Sequence, residues 1–340
     1  MKIVFIEISS EKSYTINEIA GSTGLAGTET SLLRISRELA PRHHIVQLQS
    51  NREEKETDDY GVDYWPIEDI EKVGSADVVI ILRLPRILKL HKHFPGARIY
   101  FWVHDDWPAW PKWKLRAIYQ WHMHNADATM ITVSMFHQRQ AERLLRPTLI
   151  NKVLGHCVKP PTFIYNPTPE VPSPVTDYDP NQMIFASSPH KGIKKTIEVF
   201  KQIKRAIPEM KLLVTNPGYA ATEASEADGV EVLGVLNHDE VFEKISNSLC
   251  YFGMQTHPEN FGIIFAECHA MGVPVLTTPI GAAPEVVGDC EQLVNADDVE
   301  RIIARIKRWR ANGRPQVSRH DRFEISKIAR DWETALELLD

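Results

Sequence analysis

Short apolar runs alternate with amphipathic stretches from the first residues onward. Ile3-Val4-Phe5-Ile6 is an unbroken apolar run, the pattern of a strand covered on both faces. Leu32, Leu33, Ile35 and Leu39 then recur at helical spacing over Thr30 to Leu39, with Thr28 or Thr30 placed to cap that helix. Further strands are predicted over His44 to Gln49, Val78 to Leu82, Ile99 to Val103 and Ala126 to Val133, and a helix over Phe136 to Leu145 started by Ser134. From Phe163 to Pro180 prolines crowd the chain and the apolar pattern lapses, so this segment reads as a linker. The alternation then resumes. Strands are predicted over Gln182 to Ala186, Lys211 to Val214, Val230 to Leu233, Leu249 to Met254 and Val273 to Leu276. Helices are predicted over Thr196 to Ala206, Asp239 to Ser246, Phe261 to Met271, Val299 to Arg310 and Phe323 to Leu339. Strand–helix alternation on both sides of a proline-rich break predicts an α/β protein with two domains, 1–165 and 181–320, a linker over 166–180 and a closing segment over 321–340.

Composition narrows the function class. A chain of 340 residues can bury two cores of ordinary size. A net charge of -6 argues against a nucleic-acid binder. Cys157, Cys250, Cys268 and Cys290 form no C-x-x-C pair and no zinc spacing, so reduced thiols are expected. The amino terminus turns polar too soon for a secretion signal, and no apolar run approaches the roughly 18 residues of a membrane span. A cytoplasmic protein is expected.

The candidate chemistry lies in His257 to Gly288. Strand, loop, helix and strand here form one βαβ unit, with Glu259 in the loop and Glu267 on the helix. The first turn of a helix has free N–H groups and a positive dipole end, which favour a phosphate. Gly262 would let a ligand approach that backbone without a Cβ in the way. Carboxylates accept hydrogen bonds in pairs, as neighbouring sugar hydroxyls supply them. An anion between two such acids describes a nucleotide sugar; two solvated acids flanking an amphipathic helix are the plainer alternative.

The segment ENFGIIFAE, a Glu-x(7)-Glu motif followed by GVPVLTTPIGAAPEVV, resembles the donor site of family 4 retaining glycosyltransferases. The resemblance implies the GT-B fold, two Rossmann-like domains facing a central cleft, with the last helix crossing back onto the first domain. It puts Glu259 at the transferred sugar, Glu267 at the ribose hydroxyls, and the backbone of Phe261, Gly262 and Ile263 at the phosphates. AGTE resembles the family's Gly-Gly-x-Glu loop, with Ala26 in place of the first glycine and Gly27 left to approach the phosphates. YFWVHDD resembles an aromatic-x-His-Asp motif and so puts His104 near the reacting sugar. In SSPHKGIKK, Lys191-Gly192 matches the lysine that neutralises the leaving diphosphate. The arginine expected before it is absent, and His190, Lys194 or Lys195 are candidates to supply the charge.

The implied reaction is retaining transfer of a sugar from a UDP-, GDP- or ADP-sugar to an acceptor hydroxyl, in polysaccharide or glycolipid assembly. No cofactor is expected, and no metal: Asp105 and Asp106 are adjacent rather than alternating. A glycan or lipid-linked acceptor is the expected partner. The alternatives are a nucleotide-sugar epimerase and a non-catalytic nucleotide-sugar binder. Leu82 to Phe94 is basic and amphipathic, as in segments that dock at the inner face of a membrane, but Pro85 interrupts it and a solvated face over a buried strip is the favoured reading. Trp102, Trp107, Trp110, Trp113 and Trp121 could form an acceptor platform or serve the domain core. His122 and His124 lack partners at metal spacing.

Overall fold

The structure is a computed structural model that describes residues 1–17, 25, 27–108, 111–169, 171, 175–216, 227–317 and 321–337. Trp110, Gly21, Gly24 and Ala26 lie outside the described residues. The chain forms two compact units, one from residues 1–17, 27–167 and the segment from Ile325 onward, the other from 168–324.

The first unit runs β1 (Lys2–Glu7), α1 (Gly27–Leu39), β2 (His44–Gln49), β3 (Glu56–Thr57) and β4 (Asp63–Pro66). It continues with β5 (Val78–Leu82), β6 (Arg98–Trp102), α2 (Trp113–Asn125), β7 (Thr129–Thr132), α3 (Met135–Leu145), α4 (Leu149–Val153) and β8 (Thr162–Phe163). Its strands lie in the order β3-β4-β2-β1-β5-β6-β7-β8, parallel except for the β3–β4 pair. The second unit has β9 (Asp179–Phe185), α5 (Ile193–Ala206), β10 (Lys211–Asn216), β11 (Val230–Val235), α6 (His238–Ser246) and β12 (Ser248–Gly253). After these come α7 (Ile263–Ala270), β13 (Val275–Thr277), α8 (Ala283–Val287) and α9 (Val299–Asn312). Its sheet is wholly parallel, in the order β11-β10-β9-β12-β13. The final helix, α10 (Ile325–Ala335), belongs to the first unit.

Alternation along each strand explains how both sheet faces are covered. Successive side chains point to opposite faces. Val4 and Ile6 of β1 join Val79, Ile81 and Phe101 in one core. Phe5 points the other way, where Trp332 of α10 meets it edge-on with ring centroids 6.5 Å apart. Trp102 packs on the same indole at 4.8 Å, and the Tyr100 hydroxyl donates to the Ala335 carbonyl at 3.1 Å. Outside this contact, Glu333 accepts from Arg42 Nε at 2.6 Å and lies 3.1 Å from His43 Nε2. In the second unit Phe185, Leu212, Val214 and Phe252 are packed by Ile197, Phe200 and Ile203 of α5.

Strand order fixes where ligands can enter. In the second unit the chain moves outward from β9 to β10 and β11, then returns to lay β12 on the opposite side of β9. In α/β sheets a reversal of this kind is where ligands bind, at the carboxyl edge reached by the loops leaving β9 and β12. In the first unit the reversal lies between β1 and β5.

Several local predictions are corrected. α1 begins at Gly27, so Thr28 and Thr30 lie inside it rather than capping it. α5 begins at Ile193, ahead of Thr196. The closing helix is broken: Asp321–Phe323 is a 3-10 turn, its Phe323 ring held 5.3 Å from that of Phe261. Pro85–His93 is a 3-10 segment that buries Ile87 and Leu88 in the first core, so it offers no exposed apolar stripe. Helix α2, where histidines and tryptophans blur the apolar period, goes unpredicted, as do α4 and the short β3 and β4. All four cysteines are free thiols, Cys250 and Cys268 buried, Cys157 and Cys290 exposed.

Two outcomes follow for the first unit. Trp332→Ala removes a fully buried indole and should cost about 3–5 kcal/mol in chemical denaturation. His137 is wholly buried, and burial pulls its pKa from 6.5 to about 3, against the Asp105 carbonyl, which favours the charged form. Its folded pKa is depressed, so the unfolded chain takes up a proton below about 6.5 that the folded one refuses until about 3. Stability is therefore full above pH 6.5 and falls as pH drops toward 3. His137→Gln should flatten that slope in urea-unfolding midpoints; an unchanged slope contradicts the assignment.

Candidate active site

Three loops at the carboxyl edge of the second sheet meet around Glu259. This residue, 8% exposed, sits in the loop between β12 and α7. Its Oε2 accepts from Lys191 Nζ at 2.5 Å, and its Oε1 from Gln255 Nε2 at 3.3 Å. Lys191 ends the 3-10 turn Pro189–Lys191 that follows β9. Its position depends on Gly192, which has φ +126° and lies so near β12 that a Cβ would stand 2.5 Å from the Met254 carbonyl oxygen. Thr196 reinforces the contact by accepting from Met254 N at 2.9 Å.

The third loop follows β13. Gly281, at φ +65°, would place a Cβ 2.5 Å from both the Glu259 nitrogen and its carbonyl oxygen. Ala282 N donates to that carbonyl at 2.8 Å, and Thr278 Oγ1 donates to the Gln255 carbonyl at 2.9 Å. Glu259 is thus held by backbone from one side and by Lys191 from another. The sequence placed GVPVLTTPIGAAPEVV near the site without assigning Gly281 a contact.

Gly262 precedes α7 in the left-handed region, φ +81°, where a side chain would also strike the Phe265 ring. The first N–H groups of α7 are the ones a helix leaves without intrahelical acceptors. Phe261 is buried and Ile263 partly so. Glu267 lies farther along α7, 5% exposed, its Oε1 3.6 Å from Nε2 of His238 at the start of α6. His238 was not legible in the residue pattern, because sequence distance hides the packing of α6 beside α7. Among the candidate cations, Lys195 is paired with Asp297 at 2.9 Å and Glu198 at 3.1 Å. His190 and Lys194 are exposed, His190 Nδ1 lying 2.9 Å from Ser188 Oγ. Ser187, in the region lacking the expected arginine, meets the buried Tyr251 hydroxyl at 3.2 Å. Asp177-Tyr178-Asp179 is an Asp-x-Asp at the amino end of β9, the edge away from this site; its Tyr178 ring packs under Arg314.

The first unit has its own polar cluster at the reversal between β1 and β5. Arg83, at φ +62°, donates to Asp105 at 2.9 and 3.2 Å and to Ser9 Oγ at 3.2 Å, and lies 3.8 Å from Glu29. Glu7, buried at the end of β1, accepts from Ser9 N at 2.7 Å and from the Tyr14 hydroxyl at 3.2 Å. An acid closing an apolar strand run was the signal for this cluster. Burial raises the Glu29 carboxyl above its ordinary range. Gly27 opens α1 and is exposed. His104 follows β6 with its ring 4.6 Å from that of Trp102. Burial, helped by His137 and Arg83, holds its pKa well below the ordinary value, so the imidazole is neutral at pH 7. Trp102 and Trp107 are core residues, whereas Trp113 and Trp121 are exposed.

The glycosyl transferases group 1 family model matches residues 176–330. The phosphatidyl-myo-inositol mannosyltransferase of Propionibacterium freudenreichii is 30% identical over 106 residues, 31% of this chain and 27% of that protein. The D-inositol 3-phosphate glycosyltransferase of Segniliparus rotundus is 26% identical over 176 residues, 44% of this chain and 39% of that protein. The matched segments thus span well under half of these relatives. Anabaena HepE in complex with UDP-glucose superposes over the full length of both chains with a TM-score of 0.66 at 14% identity. Sucrose-phosphate synthase of Thermosynechococcus elongatus gives 0.62 at 14% identity, over 98% of this chain and 94% of that one. The fold, two parallel-sheet α/β units, is that of GT-B glycosyltransferases, and residues 176–330 are a glycosyl transferases group 1 domain.

Proposed function

We propose that the protein is a retaining glycosyltransferase that moves a sugar from a nucleoside diphosphate sugar to an acceptor hydroxyl. The observation that carries this reading is the meeting of Lys191 and Glu259 at the β9–β12 reversal, beside the amino end of α7. A group 1 domain around that point and relatives named as mannosyl- and glycosyltransferases support it.

On this reading the diphosphate rests on the backbone of Phe261, Gly262 and Ile263, at the positive end of α7. Lys191 is drawn from Glu259 toward the phosphates. Glu259 then offers both oxygens to hydroxyls of the transferred sugar, and Glu267 accepts from the ribose. Charge builds on the leaving diphosphate as the sugar–phosphate bond breaks, and Lys191 with the helix amides stabilises it there. The acceptor oxygen bonds to the anomeric carbon on the face the diphosphate leaves, and its proton passes to a diphosphate oxygen. Neither a metal nor a covalent enzyme intermediate takes part. His190 and Lys194 supplement the cationic charge, Gly27 contributes a close backbone approach to the phosphates, and neutral His104 attends the reacting sugar. The acceptor is a glycan or a lipid-linked glycan.

Ser187 standing in the region of the expected arginine favours one other reading, a nucleotide-sugar binder without turnover. Nucleotide release across UDP-, GDP- and ADP-sugars with crude glycan acceptors separates the two. A transferase releases nucleotide with one donor class, whereas a binder saturates and releases none. With the productive donor, Glu259→Gln should lower turnover by about 10²–10³. Glu267→Gln should mainly raise the donor KM, by roughly tenfold, because ribose contacts serve ground and transition states alike.

A further inference from the structure

The main chain of Glu259 is fixed by the β13 loop, but its side chain is set by what the carboxylate touches. Among the described residues these are Lys191 at Oε2 and Gln255 at Oε1. The contacts differ in kind. Lys191 is charged and its side chain about one-third exposed. Gln255 is neutral, 3% exposed, and carried on a main chain tied from several sides. Its N–H donates to the Gly253 carbonyl at 3.1 Å and its carbonyl accepts from Thr278 Oγ1 at 2.9 Å. A Cβ on Gly192 would stand 3.0 Å from its Cα. Met254, the residue before it, is wholly buried in the core of the second unit.

A buried amide stabilises a fold when both of its ends are paired. That of Gln255 is paired at one end. Nε2 donates to Glu259 Oε1 at 3.3 Å, whereas Oε1 is buried with no hydrogen-bond partner among the described residues. The carboxylate decides which end of the amide faces it, since an amide oxygen there would oppose a carboxylate oxygen. An apolar side chain of similar length would fill the position and leave no acceptor unpaired. Glutamine at this position is therefore explained by its contact with Glu259 rather than by packing.

That contact gains its use once a donor is bound. On the transferase reading Lys191 leaves Glu259 for the diphosphate, which would free the carboxylate just when it must meet the sugar. A neutral N–H holds a carboxylate without cancelling its charge. Each carboxylate oxygen also has a second lone pair, so Oε1 can accept from Gln255 and from a sugar hydroxyl together. We propose that Gln255 is a positioning residue for transfer: it keeps the Glu259 carboxylate aimed at the transferred sugar after Lys191 has moved to the phosphates. The role deepens the transferase reading and rests on it. Gln255 acts through Glu259, and its main-chain ties to Gly253 and Thr278 make it a rigid support.

Steady-state nucleotide release by the full chain tests it, with the productive nucleoside diphosphate sugar and a fixed amount of crude glycan acceptor. The parent is compared with Gln255→Met and Gln255→Glu. Gln255→Met should lower kcat by about ten- to a hundredfold, the loss expected when a reacting group is misplaced by about an ångström. The donor KM, set by the diphosphate and ribose contacts, should move by less than about twofold. Its urea-unfolding midpoint should hold or rise, because the unpaired acceptor is gone. Gln255→Glu separates positioning from packing. While the new carboxyl and Glu259 share one proton, its O–H stands in for the amide N–H; once both are ionised they repel. The shared proton is held below a raised pKa and lost above it, so activity should be kept in acid and lost as pH rises. Relative to the parent at the same pH, kcat should lie within about threefold at pH 5 and be at least about tenfold lower at pH 8. The role is overturned if Gln255→Met keeps the parent kcat. It is also overturned if that variant loses activity together with its unfolding midpoint while Gln255→Glu is impaired equally at both pH values, as packing alone would require. A parent that releases no nucleotide with any donor overturns the transferase reading instead, and this role falls with it.

Discussion

The second unit's loops are organised by one electrostatic constraint, a carboxylate with little solvent that must have a cation. Glu259 is nearly buried, and an unpaired buried carboxylate costs several kcal/mol. Lys191 answers it from a different loop, at 2.5 Å. For the two to meet, the chain leaving β9 must pass directly over the chain leaving β12, which Gly192 permits. The chain leaving β13 must close on the Glu259 backbone, which Gly281 permits. The lysine remains about one-third exposed, so the pair borders solvent and can be exchanged for a ligand without opening a core.

Sheet topology explains why this pair stands where a ligand would enter. The loops that carry Lys191 and Glu259 leave the sheet at the β9–β12 reversal, and α7 directs its amino end to the same edge. The first unit repeats the arrangement with other chemistry, since Glu7, Ser9 and Arg83 collect where β1 and β5 diverge. There the side chains satisfy one another. A backbone strained at Arg83 is held by a two-contact ion pair to Asp105, the organisation of a rigid platform.

Much of the fold was legible in the sequence because continuous apolar strands report parallel sheets covered on both faces. β1, β5, β12 and the apolar faces of α5 and α9 are plain in the residue pattern. Helix α2 was not, since its buried positions include Gln120 and its exposed ones include Trp113 and Trp121, which inverts the usual signal. The Glu259–Glu267 frame was legible as local spacing on a loop and helix. What joins Glu259 to Lys191, Glu267 to His238 and Gly281 to Glu259 is tertiary packing between residues far apart in sequence, and single-chain periodicity carries no record of it. The stretch before Phe94 was readable too: Pro85 and the apolar positions among its charges favoured a solvated face over a buried strip, and Ile87 and Leu88 are buried beneath those charges.

The most direct test of the central claim is amide hydrogen exchange on the full chain with UDP-, GDP- and ADP-sugars in turn. A nucleoside diphosphate sugar held as described should slow exchange at the amino end of α7, over residues 261–265, and at the Lys191–Gly192 turn. Protection confined to other segments, or none with any donor while the protein remains folded, would contradict the assignment of Glu259 and Lys191 to a donor site.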